Sequence, residues 1–417
     1  MFALAHGEHA MIRRQDRSPD AGDAPTNHDA LLHGLGRVSA LALALVRAEG
    51  ATPVRATVEA AAAAIDLDLA LRARGRPLDE VLDALVRLFA ATPATTGPRF
   101  WNQLFGGREA AATVADMLAC LANNSMYTYK VAGPQVLVEN AVLERLMAIA
   151  GFAGGEAIIA PGGSMSNLCA LLAARNEAFD NARGGGADGR RARVYVSADA
   201  HYSLRKAAMV AGIGRDNVVA IDVDRDGRLD PAALAAAIAA DRDAGLVPVM
   251  VNATAGTTVR GAFDPIDAMA DVCAAHQVWL HVDGAFGGSL LLSPTSAGRL
   301  DGLARADSFT WDAHKLMGVP LVCSALMVRQ RGLLSRHLGE NASYLFQGDG
   351  DELNPGTRSL QCGRRNDAVK LWAAWQHFGD DGWQARIERQ LALACGLADR
   401  IEARPSLRLI ERPPSLT

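Results

Sequence analysis

The chain has 417 residues, 50% of them hydrophobic and 21% charged, with a formal net charge of -4. That length is more than one hydrophobic core usually serves, so two or more domains of a globular protein are expected. So small a net charge excludes a basic face for nucleic acid and an electrostatic tether to a membrane, which leaves small molecules and further copies of the chain as partners.

Residues 1–28 are polar and rich in Asp, Pro and Gly, and are expected to form a disordered tail. No targeting signal is read there, and the apolar run from Ala40 to Val46 is too short and too near charges to span a bilayer. From "HDALLHGLGRVSALALALVRAEG" to "PLDEVLDALVRLFAATPATTGP", apolar residues recur at helical spacing, so 29–96 is expected to be a helical segment that packs on a partner subunit.

Between residues 97 and 375 the pattern changes to β-branched runs alternating with Ala/Leu-rich ones: "RVYVSAD", "NVVAID", "LVPVMVNATA", "VWLHVDGAF", "ADSFTWD" and "CSALMVR". Such alternation predicts an α/β domain with a mainly parallel sheet flanked by helices. Ligands of these sheets sit beyond the carboxyl ends of the strands, and polar clusters follow five of them: "GGSMSN", "ADAHYS", "TAGTT", "DGAFGGS" and "DAHK". One shared pocket is implied. The six cysteines are scattered without a CxxC pair, which argues against a metal site or a disulfide framework and fits a reducing cytoplasm.

Each cluster has a bland reading beside a chemical one. "GGSMSN" is either an ordinary helix cap or a helix start that holds an anion with its N–H groups and hydroxyls. Asp283, at the end of an apolar strand, needs a cationic partner, which could be a salt bridge or a protonated heterocycle such as a pyridinium nitrogen. His201 is either a buried, hydrogen-bonded histidine or a flat ring stacked on an aromatic cofactor. Lys315, in "SFTWDAHKLMGVP", either snorkels from a helix end or is a nucleophilic amine activated by burial. Taken together the four supply a phosphate site, a ring clamp, a nitrogen partner and an aldehyde-trapping amine, which is what pyridoxal 5'-phosphate requires.

At "TWDAHKLMGVPLVCSALMVR", "NATAGTTVRGAFDPID", "WLHVDGAFGG", "PRFWNQLF" and "SLQCGRRNDAVKLW" the chain resembles the group II pyridoxal-phosphate-dependent amino-acid decarboxylases, nearest the glutamate and cysteine-sulfinate branch. The resemblance runs from about Pro77 to the C-terminus. It implies a type I aminotransferase-like fold with a seven-stranded sheet, a homodimer, and α-decarboxylation of glutamate, aspartate or cysteine sulfinate. A decarboxylase of diaminobutyrate or an aromatic amino acid, or a pyridoxal-phosphate scaffold with little turnover, are the alternatives.

By the same resemblance Lys315 is the Schiff-base lysine, His314 lies on the phosphate side, Asp283 partners the ring nitrogen, Ala285 lies against the ring and His201 stacks on it. Ser164, Met165 and Ser166 match the phosphate loop, Thr258 a threonine near the cofactor, and Gln103 and its neighbour Asn102 the substrate side. No metal is implied. Three departures accompany the likeness: residues 376–417 are expected to be only the start of a C-terminal small domain; the loop Gly348–Ser359 lacks the tyrosine that often returns the α-carbon proton, with Tyr344 outside it; and Asp312 stands where relatives commonly have asparagine. That carboxylate, near a doubly charged phosphate, is expected to be protonated, paired or turned away.

Overall fold

The structure is a computed structural model that describes residues 26–56, 59, 67, 69–102, 104, 106–186, 192–340, 353–409 and 412. Most of the expected tail, Gln103, Tyr344 and the first five residues of the loop Gly348–Ser359 lie outside the described residues. The chain divides into two units, one running to Phe100 and the other from Trp101.

Among the described residues the first unit holds two helices, α1 (Asn27–Ala48) and α2 (Leu78–Ala91). Thr26 and Asp29 form a reciprocal capping box, so α1 begins inside the segment expected to be tail. α1 has 22 residues and a window of mean hydropathy 1.4, long and apolar enough to cross a membrane by those criteria alone. The shorter reading of this run from sequence missed the turns either side of Ala40–Val46. Yet α1 also carries Arg37, which pairs with Asp79 at 3.0 Å and Asp83 at 2.6 Å on α2, and His33, 2.8 Å from Asp79. No α1 residue is buried, and Leu31, Leu32, Leu43 and Val46 are exposed.

The second unit is built on a seven-stranded sheet: β1 (Glu156–Ala160), β2 (Ala192–Ser197), β3 (Val218–Ile221), β4 (Val247–Thr254), β5 (Trp279–Asp283), β6 (Ser308–Asp312) and β7 (Ser324–Val328). Their order is β1-β7-β6-β5-β4-β2-β3, and β7 alone runs antiparallel to its neighbours. The carboxyl ends of the other six strands therefore share one edge, which is the edge that gathers the polar clusters.

Side chains alternate across the sheet. On one face Val194, Val196 and Met250 pack with Leu168 and Leu171 of a helix after β1 (Gly163–Ala178). On the other, Tyr195, Val251 and Val282 join Leu143 and Leu146 of the helix Gln135–Ala150 and Leu371 and Trp383 of the helix Ala368–Glu402. Burial on both faces explains why the strands read as continuous apolar runs. The helical segment Ala368–Glu402 is broken at Gly379 (φ 61°, ψ -174°), a few residues past the boundary expected at 375/376.

A cavity of about 590 Å3 lies at the other edge of the sheet, where β4 and β5 begin, walled by Pro248, Trp279, Asp307 and Arg329. It is remote from the strand ends that carry the polar clusters.

Candidate active site

The helix after β1 starts with Gly162 as N-cap; Met165 N and Ser166 N donate to Gly162 O at 3.0 and 3.1 Å, which leaves the N–H groups of Gly163 and Ser164 for an anion. Gly163 is needed there: a Cβ at that position would stand 2.6 Å from Asp312 Oδ2 and 3.2 Å from the Ala285 methyl. The helix start, Ala285 and the end of β6 thus converge. Ser164 is exposed and Met165 half-buried at this start, while the Ser166 hydroxyl turns away to Ser324 Oγ at 2.8 Å on β7.

Asp283 ends β5 at 5% exposure. Its Oδ2 accepts from Asn167 Nδ2 at 2.8 Å and its Oδ1 from Ala285 N at 3.1 Å. Both donors are neutral, and among the described residues no cationic side chain forms an ion pair with it. A buried carboxylate held only by neutral dipoles is a site for a cation, so the protonated ring nitrogen of pyridoxal phosphate fits.

His201 follows β2 and opens the helix Ser203–Val210. Ser203 N donates to its Nδ1 at 3.3 Å, and Ser203 Oγ lies 2.8 Å from the same atom. Burial pushes the imidazole below its usual pKa; the charges of Asp283 and Asp312 raise it and that of Lys315 lowers it, so all four groups share one space. With Nδ1 accepting, the neutral ring presents Nε2–H.

Lys315 is three residues past β6, its Nζ 3.4 Å from Asp312 Oδ2. His314 Nε2 is 3.5 Å from the same oxygen. Asp312 is therefore paired, the second of the three expected outcomes, and its buried Oδ1 makes no hydrogen bond among the described residues. The backbone of Lys315 is fixed by Gly106, whose N–H donates to Lys315 O at 3.0 Å. That contact brings residues near "FWNQLF" beside the lysine. Asn102 is exposed, and its Oδ1 accepts locally from Leu104 N at 3.0 Å.

Thr258 lies in the turn after β4, on the same edge; its neighbour Thr257 accepts through Oγ1 from Ala262 N at 3.1 Å. Two groups that sequence reading did not assign to the site stand behind Asp283: Asn167, and His281, whose Nε2 is 3.0 Å from Asn167 Oδ1. Their signals were present, since "GGSMSN" and "LHVD" contain both, but the contact joins residues 114 positions apart. Arg364, an arginine that could have met an acidic substrate, is instead clasped by Glu139.

A lysine beside a helix start with open N–H groups, on the same sheet edge as a buried carboxylate that forms no ion pair among the described residues, fits a pyridoxal-phosphate enzyme of fold type I. Within that class the chain belongs to the pyridoxal-dependent decarboxylases, for the model of the "pyridoxal-dependent decarboxylase conserved domain" matches residues 62–415. It is 40% identical over 352 residues to human cysteine sulfinic acid decarboxylase, covering 83% of this chain and 71% of that protein. It is 39% identical to the human acidic amino acid decarboxylase GADL1, covering 83% of this chain and 68% of the relative. Among solved structures, mouse CSAD in apo form superposes with a TM-score of 0.89 at 36% identity, over 93% of this chain and 82% of that one. Rice TDC with pyridoxal phosphate and tryptamine gives a TM-score of 0.85 at 29% identity, over 91% and 81%. The chain is a pyridoxal-phosphate-dependent decarboxylase, and an amino acid is its substrate.

Proposed function

We propose that the enzyme removes the α-carboxyl group of an acidic L-amino acid, glutamate, aspartate or cysteine sulfinate, giving the amine and CO2. The observation that carries the chemistry is Asp283, buried and supplied only with neutral donors. The substrate class is supported by the 40% and 39% identity to relatives named for acidic substrates, against 29% for the tryptamine-bound rice structure.

When bound, pyridoxal phosphate supplies an aldehyde for the amino group and a ring that accepts the electron pair left as CO2 departs. Lys315 Nζ is the amine that would hold the aldehyde. Asp283, oriented by Asn167 and Ala285 N, would keep a proton on the ring nitrogen. His201 and Ala285 would hold the ring. The helix start that carries Ser164, Met165 and Ser166 would hold the phosphate through the N–H groups of Gly163 and Ser164, with Thr258 and His314 near it. Asn102 and Gln103 belong on the substrate side, Gln103 lying outside the described residues. A proton replaces CO2 at the α-carbon.

The enzyme is read as a cytoplasmic homodimer. Three exposed cysteines, Cys120, Cys362 and Cys395, support a reducing compartment, and the apolar residues exposed on α1 support a second copy as their cover. Turnover of a panel of glutamate, aspartate, cysteine sulfinate, diaminobutyrate and tryptophan, read as CO2 and amine, tests the substrate class. Preference for tryptophan or diaminobutyrate would replace it.

A further inference from the structure

Asn167 is 1% exposed in the first turn of its helix, and every polar atom of its amide is engaged. Nδ2 donates to Asp283 Oδ2 at 2.8 Å and to Ser203 Oγ at 3.0 Å, while Oδ1 lies 3.0 Å from His281 Nε2. One side chain therefore touches the supports of both Asp283 and His201.

The direction of these bonds is fixed from the Asp283 end. A carboxylate accepts only, so the amide must turn its NH2 to Asp283 and its carbonyl to His281, which must then carry its proton on Nε2. At the far end, the Trp279 indole donates only; its Nε1 lies 2.8 Å from Ser308 Oγ, and that oxygen is 2.7 Å from His281 Nδ1. Ser308 Oγ accepts from the indole and can still give its own proton to Nδ1, which agrees with a histidine proton on Nε2. Thr310 Oγ1, 3.5 Å from Nε2, is a longer second neighbour. Burial lowers the His281 pKa to about 4, so the ring is neutral at neutral pH and the single proton must be placed.

Ser203 continues the sequence. Its hydroxyl accepts from Asn167 and donates to His201 Nδ1, where Ser203 N also donates. The result is one directed chain: Trp279 to Ser308 to His281 to Asn167, then branching to Asp283 and, through Ser203, to His201. It ends with His201 offering Nε2–H to the site.

We propose that Asn167 is a positioning residue for decarboxylation, that His281 sets the sense of its amide, and that this chain holds Asp283 in place and orients the Ser203 hydroxyl towards His201 Nδ1, beside the Ser203 N–H that already favours the same tautomer. The proposal rests on Asp283 and His201 being the cofactor's contacts, as read above.

The test uses the cofactor-loaded full chain with 15N-labelled histidine, and compares Asn167→Ala, His281→Phe, His281→Gln and Trp279→Phe. The readouts are the His201 and His281 ring-nitrogen shifts and the rate of cofactor release. Expected are a shift of the His201 Nδ1 signal, as the Ser203 hydroxyl loses the donor that orients it, and roughly tenfold or faster release in Asn167→Ala and His281→Phe, the size of one lost hydrogen bond to a charged group. His281→Gln, whose amide can still donate to Asn167, should restore slow release. Trp279→Phe, at the far edge of the sheet, keeps the question open to test should a buried variant fail to fold, and should blur the His281 tautomer. Unchanged His201 and His281 nitrogens across the set would overturn the chain. Equal release from His281→Gln and His281→Phe would reduce it to packing. A changed His201 nitrogen with unchanged release would uphold the chain while overturning the cofactor roles of His201 and Asp283.

Discussion

Arg364 and Glu139 form a buried bidentate ion pair, with Nη1 2.7 Å from Oε2 and Nη2 on Oε1, and side chains only 4% and 0% exposed. Fork-to-fork geometry satisfies both charges at once and leaves the guanidinium no face for a substrate. Arg364 O also accepts from Met126 N at 3.0 Å, tying the "QCGRR" segment to the chain before the helix Gln135–Ala150. Glu139→Ala would strand a buried cation, and a loss of about 3–5 kcal/mol of stability is expected, read by denaturant unfolding. A loss below about 1 kcal/mol would show that water reaches the pair.

Lys315 is the predicted covalent attachment point. Borohydride reduction of the loaded enzyme should leave one modified peptide, the one containing "DAHKLMGVP", and the protein should be yellow before reduction. Lys315→Ala should lose both the colour and the adduct. A labelled peptide elsewhere, or an unchanged visible spectrum in the variant, would refute the assignment.

Asp283→Ala removes the group that keeps the ring nitrogen protonated. By comparison with other preorganised electrostatic groups, kcat should fall by at least about 10^2- to 10^3-fold. The fold should tolerate the change far better, because the carboxylate's two partners are neutral donors rather than an ion pair. Near-normal turnover would sink the role.

The site was legible where its chemistry sits in short contiguous runs at strand ends: Lys315 and Asp312 after one strand, Asp283 after another, His201 after a third. What could not be read was the pairing between them. Asn167 meets Asp283 across 116 positions, and whether Asp312 is paired or turned away depends on side-chain geometry that no spacing encodes. The sheet's alternating pattern was clear, but the reversal of β7 was not, since a strand buried on both faces reads the same in either direction.

The buried histidine gives a pH prediction with a definite sign. His281 has a folded pKa of about 4 against 6.5 when unfolded, because burial disfavours its charge. Above pH 6.5 neither state is protonated; as pH falls from 6.5 towards 4 only the unfolded chain takes up the proton, and stability is lost. The full loss is about 3 kcal/mol at 1.36 kcal/mol per unit. Asp264, raised to about 6 by burial while accepting from Leu229 N and Thr254 N, contributes with the opposite sign over the same range. The difference between wild type and His281→Gln isolates the histidine: the wild type should lose more stability than the variant between pH 7 and 4.5. Parallel curves would mean that His281 titrates normally in the fold.

Two adjacent glycines separate a steric demand from a conformational one. A Cβ on Gly106 would stand 2.4 Å from Lys315 O and 2.6 Å from Leu316 O, backbone atoms that cannot swing aside as a side chain would. Gly107 has open space around it but a φ of +85°, which L side chains adopt at a cost of roughly 1–2 kcal/mol. Gly106→Ala should therefore push the Lys315 backbone, and displacement of a reacting group by about 1 Å can cost on the order of 10^2-fold in rate. Gly107→Ala should lower stability by its conformational cost and leave kcat within a few-fold. Measuring kcat and unfolding free energy for both decides the matter: if Gly106→Ala loses stability but keeps its rate, the lysine is not held by this contact, and the segment "FWNQLFGG" supports the fold rather than the chemistry.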